Sequence, residues 1–170
     1  RHYEPYAIAK IAGIKMCQAY NRQFGTRFIS VIPATVFGQN DNFDIKTSHV
    51  IAALIRKFCE AKIRNMSKVT VWGTGKPKRE FIYVDDLIDA SLFLIKHKNP
   101  FEIINIGTGI DISIRDLAWT IKKIVSFKGK VEFDSGKPDG ALRKLLDIQS
   151  LKSLNWKPKT GFRSGLETVC

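Results

Sequence analysis

Two hydrophobic periods alternate along this chain. Residues 5–24 carry Ile8, Ile11, Ala12 and Ile14 at helical spacing and stop at Gly25, a residue that enters the left-handed conformation ending many helices at little cost. Residues 27–32 follow as a short apolar run that reads as a buried strand. The pattern then repeats. Val50, Ala53, Leu54 and Phe58 form a helical stripe running through Lys62, with Thr47 or Ser48 as its cap. Strands are expected at 69–72 and 80–84 around the turn Gly73-Thr74-Gly75-Lys76-Pro77, then a helix capped by Asp85 or Asp86 and reaching about His97. A strand at 102–106, the turn Gly107-Thr108-Gly109 and a helix opened by Ser113 with Asp116 and ending near Val125 complete the regular part. The last third reads as a strand at 131–133, a charged loop at 137–144, a short helix at 147–154 and a helix after Thr160. Such alternation favours an α/β fold over a helical bundle or a β-sandwich.

Composition narrows the function classes. With 170 residues, 44% of them hydrophobic, the chain can build one main core. Cys17, Cys59 and Cys170 are widely and irregularly spaced, so neither a disulfide framework nor a zinc site is expected. The longest apolar stretches fall far short of the roughly 20 residues that cross a bilayer, and no signal-peptide pattern opens the sequence. A cytoplasmic location without membrane contact is the expectation. The net charge of +12 raises the question of nucleic acid. Its lysines and arginines are scattered, however, without a run of like charge or an aromatic-plus-basic signature, which points to a solvated basic surface.

The chemistry-bearing residues begin with Tyr6 and Lys10, four apart and so on one helix face. An ammonium one turn from a phenol stabilises the phenolate left when a proton is given away, which suits protonation of a ketone oxygen as hydride reaches its carbon. The pair alone recurs on many exposed helices. The two glycine strings are weaker still. Gly73-Thr74-Gly75-Lys76 lacks the spacing of a nucleotide P-loop and Gly107-Thr108-Gly109 lacks the third glycine of a dinucleotide fingerprint, so both read as turns.

Longer strings in fixed order carry a resemblance. Pro5-Tyr6-Ala7-Ile8-Ala9-Lys10, then Val31-Ile32-Pro33-Ala34-Thr35-Val36-Phe37-Gly38, then Arg79-Glu80-Phe81-Ile82-Tyr83-Val84-Asp85-Asp86 resemble the extended short-chain dehydrogenase/reductase family. Ser48-His49-Val50, Val71-Trp72-Gly73-Thr74-Gly75, Asn105-Ile106-Gly107-Thr108-Gly109, and Lys137-Pro138-Asp139-Gly140 with Arg143-Lys144-Leu145-Leu146-Asp147 are similar to its GDP-L-fucose synthase subgroup. The resemblance implies an NADPH-dependent epimerase/reductase of GDP-4-keto-6-deoxy-mannose. It implies Tyr6 as proton donor at the C4 carbonyl, Lys10 as its electrostatic partner and a holder of the nicotinamide ribose, and His49 as an acid/base at C3 and C5. A histidine suits that work because imidazole gains and loses protons near neutral pH. Pro33, Ala34, Thr35 and Val36, with Lys10 and His49, fall where the family meets the cofactor, and Lys57, Trp72, Arg79 and Asp139 where it meets the GDP-sugar. Trp72 reads equally as a core aromatic at a strand end. Arg143 and Lys144 are further candidates by charge and position alone.

The fold implied is an incomplete doubly wound, Rossmann-like parallel sheet without the dinucleotide-binding βαβ unit, plus a smaller α/β substrate-binding portion. Residues 1–38 are expected to belong to the former, and residues 39–170 mainly to the latter, with some segments returning to the main sheet. The main phosphate site for NADP(H), the family's serine and its epimerising cysteine would lie outside this stretch. Activity is then expected only with a separate chain that carries the missing unit, and the apolar face of the Tyr6 helix should seek such a chain or be covered in part by a homodimer partner. Thr35, Phe37, Ala141 and Leu142 depart from the family's Asn, Tyr, Thr and Pro. A non-catalytic sugar-nucleotide binder, a part of another NAD-dependent epimerase/dehydratase and a basic nucleic-acid-binding protein stay open as alternatives.

Overall fold

A computed structural model describes residues 4–45, 47–96 and 101–170. Its first element, α1 (Glu4–Phe24), ends where expected: Gly25 takes φ 63° and returns its N–H to the Asn21 carbonyl at 3.1 Å. The chain then runs extended through β1 (Ser30–Pro33) and β2 (Thr35–Phe37), later than the expected strand at 27–32. This run changes partner in mid-course. β1 pairs in parallel with β5 (Ile103–Ile106), Ala34 donates its N–H to the Ile106 carbonyl at 2.8 Å, and β2 pairs in parallel with β4 (Lys78–Tyr83). β4 is also flanked by the antiparallel β6 (Asp111–Ser113) and the parallel β8 (Arg143–Lys144), while β3 (Lys68–Trp72) pairs in parallel with β7 (Lys130–Asp134). The helices are α2 (Val50–Ile63), α3 (Val84–Lys96), α4 (Ile114–Val125), α5 (Gln149–Ser153) and α6 (Phe162–Val169). The α/β class with parallel pairing is as read from the sequence.

Two cores share β4 as a wall. Phe81 and Tyr83 point with Phe37, Leu54, Phe58, Leu117, Ile121 and Leu166 into one core, beneath α2, α4 and α6. Ile82 points the other way, to Leu94, Ile104, Ile106, Leu151 and Trp156. This is the two-residue alternation of a strand applied to a wall with apolar matter on both sides.

Several local expectations are corrected. β1 is not buried: three of its four residues are exposed. α1 buries no residue and is anchored near its C-terminal end, where Asn21 and Gln18 donate to the Glu102 carboxylate and Tyr20 packs edge-on against Phe28. The N-cap of α2 is His49, and neither Thr47 nor Ser48 serves. Thr47 is drawn away because its N–H and hydroxyl both donate to the Asp44 carboxylate, each at 3.0 Å. Asp85 and Asp86 are not caps either, since β4 runs directly into α3 at Val84 and places both inside the first turn. Asp86 is buried there and accepts the backbone N–H groups of Lys159 and Thr160. β6 and β8 arise where no strand was expected. Ser113 does cap α4, accepting the Asp116 N–H at 3.0 Å and donating to its carboxylate at 2.6 Å. His97, the expected end of α3, lies outside the described residues.

Candidate functional site

The crossing from β1 to β2 opens a cavity of about 890 Å³ at the C-terminal end of a parallel strand, the place where open α/β sheets hold ligands. Pro33, Ala34, Thr35 and Val36 form its floor. Tyr6 of α1, His49 and Val50 at the start of α2, Arg79 and Glu80 of β4, and Lys144, Leu145 and Leu146 complete the lining. Lys10 stands one turn along from Tyr6, its Nζ 5.4 Å from the ring centre. His49 makes no capping hydrogen bond with its side chain, and the residue is exposed where it lines the cavity. Five separate stretches of sequence thus converge on one space.

A second group adjoins the first. Trp72 is 64% exposed, which decides against a core aromatic. Its ring carries Lys57 Nζ at 5.2 Å and Lys137 Nζ at 5.7 Å, a cation–π arrangement with two ammoniums on one indole. Lys57 also donates to the Thr70 carbonyl at 3.1 Å, and its partial burial lowers its pKa from the ordinary lysine value. Asp139 accepts from the Thr74 N–H and from the Thr74 hydroxyl, both at 2.7 Å. Those two donors, the hydroxyl first, hold its carboxyl below the usual aspartate value. The loop 137–140 then reaches the cavity, because the space a side chain would take at Gly140 lies 3.7 Å from an Arg79 guanidinium nitrogen. Tyr6, Pro33, Ala34, Thr35, Val36, His49 and Arg79 therefore share one cavity, with Lys57, Trp72 and Asp139 on the surface that this loop joins to it.

Glu80 is the charged cavity residue that sequence reasoning missed, beside the apolar Val50, Leu145 and Leu146. It is 2% exposed, and its two oxygens accept the N–H of Gly109 at 2.7 Å and of Leu146 at 2.8 Å. The signal available was a carboxylate directly ahead of the apolar run Phe81-Ile82-Tyr83 in the same strand. Glu80 and Asp139 also explain the two glycine turns. The N–H groups of Thr74 and Gly109, which a phosphate loop would offer to an anion, are already given to carboxylates of this chain.

Residues 1–107 match the NAD dependent epimerase/dehydratase family. The chain belongs to that family. Among epimerase/dehydratase relatives it is 52% identical over 163 residues to the GDP-L-fucose synthase of Sinorhizobium fredii strain NBRC 101917 / NGR234, covering 96% of this chain and 52% of the relative. It is 48% identical over 175 residues to the GDP-L-fucose synthase of Escherichia coli K12, covering 98% of this chain and 54% of the relative. The chain spans about half the length of these curated relatives. The crystal structure of a GDP-L-fucose synthetase from Naegleria fowleri bound to NADP superposes with a TM-score of 0.85 at 30% identity, covering 96% of this chain and 53% of that one. The resemblance carried by the motifs thus extends over nearly the whole chain.

Proposed function

We propose that this chain forms the sugar-nucleotide-handling part of an NADP(H)-dependent epimerase/reductase of the GDP-L-fucose synthase kind, acting on GDP-4-keto-6-deoxy-mannose. The observation that carries this reading is the convergence of Tyr6, His49 and Arg79 on one cavity at the crossing from β1 to β2. A keto-sugar held there places its C4 oxygen where the Tyr6 phenol can give it a proton, with the Lys10 ammonium offsetting the negative charge left on the phenolate. The ketone acidifies its neighbouring C–H bonds, and His49 takes a proton from one of those carbons and returns one. Arg79 offsets diphosphate charge at the cavity edge, and Lys57 and Lys137 do so beside Trp72, whose open face suits stacking of a base.

The cofactor's nicotinamide end fits Pro33, Ala34, Thr35 and Val36, which present small side chains and one hydroxyl beside Tyr6, with Lys10 and His49 flanking them. Bound nicotinamide supplies the hydride to the ketone carbon. Its pyrophosphate needs donors that the two glycine turns, each already satisfied by a carboxylate, do not offer. Turnover therefore depends on a glycine-rich βαβ unit acting together with these residues, whether from the same protein or a separate chain.

Saturable binding of GDP in a calorimetric titration tests the substrate half of the reading. NADPH oxidation with GDP-4-keto-6-deoxy-mannose, in protein joining this chain to a dinucleotide-binding unit, tests the rest. Tyr6→Phe should lower reduction by about a hundredfold or more, the usual value of a positioned proton donor. His49→Gln should slow proton exchange at C3 and C5 with solvent deuterium. Undiminished exchange in that variant removes His49 from its role, and no turnover from the folded, joined protein ends the enzymatic reading.

A further inference from the structure

Burying a carboxylate is costly unless charged or hydrogen-bonding partners offset the loss of water. Glu80 is buried in β4, and among the described residues no ion pair includes it. Its compensation is two backbone N–H groups from loops far apart in sequence, Gly109 and Leu146. The first loop is shaped around it: a side-chain carbon at Gly107 would stand 2.3 Å from Glu80 Oε1. The second loop leads out of β8 and supplies Lys144, Leu145 and Leu146 to the cavity. Other ties hold this second loop as well. β8 pairs with Lys78 and Arg79, Arg143 forms an ion pair with Asp111, and Asn105 donates to the Asp147 carbonyl at 2.8 Å. The Glu80 bond is the tie made by a buried carboxylate side chain.

We propose that Glu80 is a positioning residue: by clasping Gly109 and Leu146 together it fixes the segment 143–147 so that the Lys144 ammonium stands at the cavity to meet a sugar-nucleotide diphosphate. This rests on reading the cavity as a nucleotide-sugar site. Glu80 touches no substrate in this scheme, since its oxygens are committed to the two loops and its charge would repel a diphosphate. It acts through Lys144.

Glu80→Gln tests the clasp, because a glutamine keeps one acceptor and turns an NH₂ toward a backbone N–H, so one of the two bonds is lost. Amide hydrogen exchange at Gly109 or Leu146 should quicken by about tenfold or more, while Leu54 in α2 and Ile121 in α4 keep their protection. GDP affinity should fall by about tenfold. Lys144→Ala should weaken GDP binding in the parent protein and cost almost nothing more in the Glu80→Gln background, a coupling that a diffuse loss of stability does not produce. Unchanged exchange at both amides, or losses that simply add, overturn the proposal. If Glu80→Gln does not fold, Glu80→Asp, charged but one methylene shorter, carries the same comparison. Failure of the parent protein to bind GDP overturns the reading of the cavity and the purpose assigned to the clasp, and the exchange rates then still show whether the clasp exists.

Discussion

At the scale of single residues, carboxylates organise the loops around the cavity. Asp139 gives both oxygens to Thr74, and its carboxyl is held below the usual value. A carboxyl with a depressed folded pKa adds stability that is present above its unfolded value and is lost as pH falls through the folded one. Acid should therefore release the loop 137–140 only below the ordinary aspartate range. Thr74→Val removes the hydroxyl, the largest contributor, and the Asp139 midpoint followed by NMR should climb toward 3.8. A midpoint that stays put would assign the depression elsewhere. Trp72 teaches a different lesson. Its residue type fits core and surface alike, yet Val69 and Val71 are buried and the intervening Thr70 is not, so the period of β3 alone turns Trp72 outward. That signal was in the sequence and decides between the two readings left even for Trp72.

Elements were legible where their own residues decide them. α1, α2 and α4 announce themselves by spacing, by Gly25 at the end of the first and by the Ser113–Asp116 cap of the last. β6 and β8 do not, because three and two residues carry no period and both are strands only by pairing with β4. Thr47, Asp85 and Asp86 have the chemistry of caps, but nearby Asp44 claimed Thr47, the distant Lys159 backbone claimed Asp86, and the chain path left Asp85 inside the turn. Glu80 escaped notice for a related reason, since a lone carboxylate in a strand usually marks the solvent side. The turn at Gly107 gives the element-scale test. Gly107→Ala forces a carbon against Glu80 Oε1 and should cost about 1–3 kcal/mol in urea unfolding, the usual penalty for overpacking. Unchanged stability would mean that the turn and the carboxylate can move apart freely.

Across the whole molecule, the helix that carries Tyr6 is the least supported part. Tyr6, Ile8 and Ile11 are 66, 60 and 56% exposed, and β1 leaves Val31 and Ile32 uncovered on an edge. Apolar surface of this extent favours association. Sedimentation velocity on the 170-residue polypeptide should show association that grows with concentration and that Ile8→Glu with Ile11→Glu reduces. A monomer at every concentration would refute it. The opposite holds at β4. Because Phe81 and Tyr83 belong to one core and Ile82 to the other, neither core owns a wall that the other can lose. Melting one side strips the packing from the other, so heat should take both in a single cooperative step. Arg79 and Glu80, standing on that common partition, then keep their places until the whole structure gives way.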